Sequence, residues 1–473
     1  MSELLPRTLL IHVHNRKRIQ FNLSGIYPML PLGIAMLGAQ LERAAYPTDL
    51  IDLSLPKNSR LAVGQLVQEK RYDLVGLSAT IFSLPETMAL VHDIKQYSPK
   101  TFVVVGGPAT VFSAETLFRT MPKADAFVFG EGEEAIVEIR KHVEGNRSNF
   151  NIPGVAHKMD GEIVSTPPKA HLNMDDLPFP ARHMLPHRYI MHPPFNRYPP
   201  ITLIESARGC PYQCAFCSLP RQYRFRSVDH VLAEVQHVIK TEGVKEIHFV
   251  DPTFTADRER TLQLCEALTP LGLNFTCKTR LDLVDPKLLK TMRSAGFYMI
   301  SYGVETFEDR SMEYLNKHVD ADSVSRRLKQ TKEAGIDVLA YMLLGNPGER
   351  FSTVYRSVRR LIRVGCDFAL FSDLYPDPGT PITDDAIKKG FLTKEEMEDF
   401  YFCHKPLSGN KNLCGLDKAH VNRWVLFAFI AFYFSPRTLL RMLSKSKNYR
   451  QFFSMAKAGI SLIADIIFPR RTV

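Results

Sequence analysis

Three cysteines occupy the stretch Arg208-Gly209-Cys210-Pro211-Tyr212-Gln213-Cys214-Ala215-Phe216-Cys217. Thiols this close in sequence lie on one loop, and their C-x3-C-x2-C spacing lets them converge on one metal centre. Structural zinc sites and electron-transfer cubanes each take four protein ligands. Here there are three, with no fourth cysteine or histidine at motif distance. A [4Fe–4S] cluster held by three thiolates leaves one iron open to a substrate or cofactor. That is a chemical site. The alternative is cysteines that merely pack, since free cysteine is commonly buried.

The fold around this loop is legible from periodicity. Residues 201–206 form an apolar strand, and the cysteine loop follows it directly, where barrel chemistry belongs. Strands at 246–251, 274–279, 298–303, 338–344 and 368–374 then alternate with helical patterns at 228–241, 258–268, 286–294, 322–334 and 353–364. The first third alternates in the same way, with strands at 8–13, 49–52, 72–78, 102–105 and 126–129. Such alternation predicts an α/β, parallel, doubly wound sheet, whose ligands bind at the carboxyl ends of strands. Ser78, Gly106, Gly107 and the Gly130–Glu133 turn fall at those ends. A hairpin turning at Met159-Asp160-Gly161 and a proline-rich connector at 173–182 separate the two regions. The expected domains are 1–150, a hairpin and linker over 151–199, a barrel over 200–385, and a helical basic region over 386–473.

Length and composition set the outer bounds. With 473 residues the chain exceeds one ordinary core. Eight cysteines in that length do not make a disulfide framework, and a reducing cytoplasm is expected. The amino terminus has no basic region ahead of an apolar core, so no secretory signal is expected. The net charge of +10 is concentrated late in the chain. An apolar, aromatic run at 424–434 precedes that basic tail, and 460–468 is apolar again. The run is too short to span a bilayer. A buried helix, a hydrophobic substrate channel and a membrane contact are the three readings open for it.

The C-x3-C-x-Φ-C pattern, with aromatic Phe216 before the last cysteine, resembles the signature of radical S-adenosylmethionine (SAM) enzymes. The resemblance implies a partial (β/α)6 barrel in which Cys210, Cys214 and Cys217 hold a [4Fe–4S] cluster. SAM would chelate the open iron, and one electron would cleave it to methionine and a 5′-deoxyadenosyl radical. It further implies SAM contacts from Phe216 and from residues at successive strand ends. Asp251 would meet the ammonium, although Pro252 stands where the family often has a second acid. Arg280 would meet the SAM carboxylate or an anionic substrate group, and Glu305 the ribose and ammonium. Gly345 and Pro347, in Gly-Asn-Pro-Gly-Glu, would lie near the adenine and methionine ends.

The first third is similar to the cobalamin-binding domain that precedes the radical domain in one subgroup. Pro31-Leu32-Gly33, Val75-Gly76-Leu77-Ser78, Val105-Gly106-Gly107-Pro108 and Gly130-Glu131-Gly132-Glu133 carry that similarity. Leu32, Ser78, Gly106, Gly107, Glu131 and Gly132 are the implied cobalamin contacts. The D-x-H-x-x-G motif that supplies a cobalt ligand in other cobalamin proteins is absent, and His12 and His14 lie outside that context. A domain of this type without cobalamin remains the alternative.

The resemblance implies methylation of an unactivated carbon of a lipophilic small molecule, by way of the 5′-deoxyadenosyl radical and methylcobalamin. The second outcome it allows is an anaerobic cyclisation, oxidation or rearrangement with the same cofactors. The implied partners are a small-molecule substrate and an external one-electron reductant of flavodoxin or ferredoxin type. Peripheral membrane contact through the C-terminal region is a further expectation, and nucleic acid is not expected.

Overall fold

A computed structural model describes residues 7–14, 29–55, 58–145, 150–169, 171–186, 189, 197–403, 405, 407 and 411–445. They form two compact units. The first runs as far as Tyr189 and takes in Glu395–Leu407, and the second holds the remainder.

In the first unit, strands β1 (Thr8–His12), β2 (Thr48–Asp52), β3 (Leu74–Ser78), β4 (Phe102–Gly106) and β5 (Ala126–Val128) alternate with helices. The helices are α1 (Leu32–Arg43), α2 (Arg60–Lys70), α3 (Leu84–Tyr97), α4 (Ala114–Thr120) and α5 (Glu133–Glu144). Short apolar runs such as Phe102-Val103-Val104-Val105 suit strands covered on both faces. Side chains start the helices: the Ser59 and Ser113 hydroxyls accept the Ala62 and Thr116 amides at 3.2 and 3.3 Å. Two acids, Glu133 and Glu134, occupy the first turn of α5, where the helix dipole favours them. The strand order is β2-β1-β3-β4-β5, all parallel, so the chain reverses direction across the sheet between β1 and β3.

The hairpin is β6 (Val155–Met159) and β7 (Glu162–Ser165), and it does not stand apart as a linker. β6 pairs antiparallel with β5, pairing Val128 with Val155, so it extends the first sheet to seven strands. Backbone hydrogen bonding across that edge outweighed the turn signals on either side.

The second unit contains a six-stranded parallel sheet in sequential order: β8 (Ile201–Ile204), then β11 (Glu246–Phe249), β12 (Asn274–Thr279), β13 (Phe297–Glu305), β14 (Asp337–Leu344) and β15 (Phe368–Asp373). A small ladder of β9 (Ala207–Arg208) and β10 (Arg224–Phe225) closes the base of the cysteine loop. Helices α6 (Val228–Glu242), α7 (Arg258–Leu268), α8 (Pro286–Ser294), α9 (Asp309–Tyr314), α10 (Ala321–Glu333) and α11 (Phe351–Val364) fill the crossovers. Ile300, Tyr302 and Val304 of β13 pack in the core shared with the helices. By the two-residue period of a strand, Ser301, Gly303 and Glu305 therefore face the barrel interior.

Helices α12 (Pro381–Lys388), α13 (Lys394–Phe402), α14 (Lys418–Tyr433) and α15 (Pro436–Lys445) follow. Most of α13 belongs to the first unit, where Phe112 packs against Tyr401 and Phe402 at 5.9 and 4.8 Å. The aromatic run of α14 is core: Val425, Ala428, Phe429 and Phe432 are buried, and Phe371 of β15 meets Phe429 at 5.2 Å. One face of the run is thus core, as the buried-helix reading expects, while Ile430 and Phe434 stay exposed. Among the described residues no single helix is long and apolar enough to cross a membrane. The 460–468 run and the end of the basic tail lie outside the described residues.

Candidate active site

The cysteine loop is held by its backbone. Gly209 sits at φ +73°, and a Cβ there would lie 2.1 Å from the Gln222 carbonyl oxygen. Glycine is needed for the conformation and for the close approach. The Cys210 amide donates to the Pro220 carbonyl at 2.9 Å, and the Cys217 amide to Cys214 at 3.2 Å. Arg221 donates to the Tyr212 and Cys217 carbonyls. Cys210 and Cys214 are buried and Cys217 half-buried. Burial pushes the Cys217 thiol up, and the neighbouring Cys214 and Cys210 add to that, so the three sulfurs sense one another. Among the described residues no group of three ligands is gathered closely enough for a single ion. Three thiols on one loop, two of them buried, are a donor set of the kind that holds an iron–sulfur cluster.

Asp251 lies one strand away and is fully buried. Its carboxylate accepts the Ser206 amide at 2.6 Å and the Ser206 hydroxyl at 2.5 Å, while burial pushes its pKa up. Both oxygens accept from Ser206, in the segment leading into the cysteine loop, which ties Asp251 to that loop. Thr253, two residues on, places Oγ1 3.3 Å from Cys210 Sγ.

Glu305 ends β13 with a left-handed backbone at φ +64°, beside a register shift against β14. Its carboxylate meets Lys317 Nζ at 3.0 Å, and that ammonium also donates to the Gly303 carbonyl at 3.1 Å. A Cβ on Gly303 would lie 2.4 Å from the Glu305 carboxylate and 3.0 Å from Lys317 Nζ, so a side chain at 303 would displace that pair. Lys317 also stands 5.8 Å from the Phe216 ring, which joins Glu305 to the cysteine loop.

Arg280 follows β12 directly. It forks onto Asp282 at 3.0 and 2.9 Å, donates to the Lys317 carbonyl at 2.8 Å, and approaches Cys214 Sγ at 3.4 Å. Its guanidinium lies over the Tyr212 ring at 4.1 Å.

At the next strand end, the Gly345 and Asn346 amides donate to Glu349 Oε2 at 2.6 and 3.1 Å. Burial pushes the Glu349 carboxyl to about 7, against those two donors. Asn412 donates to the Gly345 carbonyl at 2.7 Å, and Pro347 keeps part of its surface open. The structure thus brings Phe216, Arg280 and Glu305 to the cysteine loop through Lys317 and sets Asp251 behind it. Ser206, Thr253, Asp282, Lys317 and Asn412 were not singled out from the sequence. Ser206 precedes the loop by four residues and was the most findable; Lys317 and Asn412 sit in no motif.

In the first unit the carboxyl edge of the sheet is lined as expected. Ser78, Gly106 and Gly107 keep exposed surface at the ends of β3 and β4. Gly107 has φ +91°, and a Cβ there would sit 2.8 Å from the Ala79 carbonyl oxygen. Leu32 opens α1, Gly132 caps α5, and Glu131 pairs with His171 at 3.4 Å. His12 stands opposite Asp52 on β2, and burial lowers its pKa more than Asp52 raises it. An edge of small residues and bare backbone fits a broad ligand laid across the strand ends.

A thiolate loop at the mouth of a six-stranded parallel barrel, preceded by a doubly wound sheet with a glycine-lined edge, defines a two-domain cofactor enzyme. Comparison with known families agrees: a B12 binding domain matches residues 25–140 and the radical SAM superfamily matches 204–387. The chain belongs to the radical SAM superfamily and carries a B12-binding domain ahead of its radical domain. An uncharacterized methyltransferase of Pyrococcus horikoshii is 26% identical over 422 residues, covering 87% of this chain and 89% of its own. The anaerobic magnesium-protoporphyrin IX monomethyl ester cyclase of Rubrivivax gelatinosus is 27% identical over 421 residues, covering 81% and 75%. The methyltransferase TsrM from Kitasatospora setae, solved with cobalamin and a [4Fe–4S] cluster, shares the fold, with TM-score 0.65, 18% identity and coverage of 81% and 75%. The radical SAM domain implies a [4Fe–4S] cluster and SAM, and the B12-binding domain implies cobalamin. The three-thiolate loop and the open strand edge fit the first and the last.

Proposed function

We infer that the protein methylates an unactivated carbon of a small molecule. The observation that carries this is the union, in one chain, of a B12-binding domain with a three-cysteine radical SAM loop. Bound there, a cluster would supply the electron for reductive cleavage of SAM, and cobalamin would carry the methyl group. The chain's own residues hold and shield these groups. Cys210, Cys214 and Cys217 hold the iron–sulfur cluster, and Asp251 fixes the segment that presents them, through Ser206. Glu305, paired with Lys317 at 3.0 Å, offers a carboxylate to the SAM ammonium. Gly345 and Pro347 line the turn proposed for the adenine end. Leu32, Ser78, Gly106, Gly107, Glu131 and Gly132 form the edge proposed for cobalamin.

The cyclase relative supports a second reading, ring closure with the same cofactors and no methyl transfer. An external flavodoxin or ferredoxin is the proposed reductant. Exposed Phe434, Leu440 and Leu443 beside Arg437 support peripheral membrane contact of a cytoplasmic protein. The substrate is proposed as a lipophilic small molecule, with the exposed face of the 424–434 run as its support.

The test is anaerobic reconstitution with iron, sulfide and hydroxocobalamin, a cobalt assay, then incubation with methyl-labelled SAM and dithionite. Stoichiometric cobalt, with both S-adenosylhomocysteine and 5′-deoxyadenosine formed, is expected. With a candidate substrate, a product heavier by one CH2 supports methylation, and one lighter by two hydrogens supports ring closure. A chain that binds the cluster but no cobalt overturns the proposal.

A further inference from the structure

We propose that Arg280 tunes the iron–sulfur cluster, as the hydrogen-bond donor to the Cys214 thiolate, and does not bind SAM. This rests on the radical SAM reading and assigns one residue within it.

The guanidinium has five N–H groups. Nε takes one Asp282 oxygen and Nη2 the other, so the edge that would grip a carboxylate is already closed on Asp282. The second N–H of Nη2 goes to the Lys317 carbonyl at 2.8 Å. Nη1 points at Cys214 Sγ, 3.4 Å away, and retains a single further N–H. A SAM carboxylate would find no free fork, and a two-pronged grip is what distinguishes arginine as a carboxylate ligand.

The residue is also immobile. Its side chain is 8% exposed and lies 4.1 Å over the Tyr212 ring, which belongs to the cysteine loop itself. The turn that supplies the Lys317 carbonyl grips the same loop from the other side. Leu315 accepts the Ala215 amide at 3.0 Å, and the Asn316 side chain donates to the Gln213 carbonyl. Asn316 and His318 adopt left-handed backbones at φ +56° and +54°, which make the turn tight. Arg280 is the point at which strand end, turn and cysteine loop meet.

Hydrogen bonds to a cluster's sulfurs are among the levers that set its potential. A donor to a thiolate withdraws charge from the sulfur, stabilises the reduced cluster and raises the midpoint. The Asp282 carboxylate cancels much of the net charge of Arg280, so the directed N–H carries the effect.

The test is a potentiometric titration of the reduced cluster, followed by electron paramagnetic resonance, on wild type, Arg280→Gln and Arg280→Lys. Binding of radiolabelled SAM to the oxidised cluster is measured in parallel. Both variants are expected to shift the midpoint to more negative potential, Gln further than Lys, with SAM affinity unchanged. An unmoved midpoint in both overturns the proposal. So does SAM binding weakened tenfold or more at constant potential, which would return Arg280 to the carboxylate role. Loss of the cluster from both variants with unchanged circular dichroism would make Arg280 a structural residue only. A wild-type chain that takes up no cluster would overturn the radical SAM reading itself.

Discussion

Replacing Gly209 by alanine tests whether the cysteine loop is built on backbone geometry. Two terms add. The left-handed φ of +73° disfavours any L-residue with a side chain by about 1–2 kcal/mol. The new methyl would also lie 2.1 Å from the Gln222 carbonyl oxygen, where ordinary contact begins at 3.4 Å. That shortfall forces the strands of the small ladder apart, and overpacking of this kind costs about 1–3 kcal/mol. The sum is about 2–5 kcal/mol, and the movement falls on the amide of Cys210, which now donates to Pro220. Gly209→Ala is expected to lower the urea midpoint and the iron and sulfide retained after reconstitution. Gly390→Ala is the control: its φ is +70° with nothing within 4 Å, so it carries the conformational term alone and leaves iron uptake unchanged. A Gly209→Ala chain with full cluster and the stability of the control would refute the steric reasoning.

Glu246 gives a pH prediction. It is fully buried at the start of β11, accepting Tyr298 Oη at 2.6 Å and the Arg197 and Tyr198 amides at 2.9 and 2.7 Å. Burial outweighs those donors and raises its pKa from 4.5 to about 7. The folded state then binds more protons than the unfolded state between those values. The stabilisation is fully present below pH 4.5 and is lost as pH rises through about 7, up to about 3 kcal/mol in all. Glu246→Gln, which mimics the protonated group, should flatten that part of the stability profile in urea titrations at successive pH values. For the Lys317–Glu305 pair, Lys317→Met leaves a buried carboxylate without its ammonium and should cost about 3–5 kcal/mol in the same assay. The double variant with Glu305→Met should recover most of it, and an equal loss in both would show that the pair is not coupled.

The sequence by itself determined the elements and the chemistry's address. Strand and helix periods placed all five parallel strands of the first sheet and all six of the barrel, because burial on both faces leaves apolar runs in most of them; the edge strand Thr48–Asp52, half-buried, was placed by the alternation around it. The cysteine spacing located the cluster loop, because ligands within one loop are local in sequence. What only the tertiary structure decided is pairing between distant residues. Asp251 and Arg280 sit at strand ends as the motifs implied, yet a carboxylate's partners are set by what lies across the sheet. Asp251 faces Ser206, 45 residues earlier, and Arg280 faces Cys214, 66 residues earlier. Lys317 belongs to no motif and matters through Glu305, Gly303, Phe216 and Arg280, all brought to it by the fold. The hairpin's place in the first sheet and the burial of the aromatic helix against β15 were likewise tertiary outcomes. A hydrogen-bonding edge and an apolar face are visible in a sequence, and the surface that covers each one is fixed only when the chain folds.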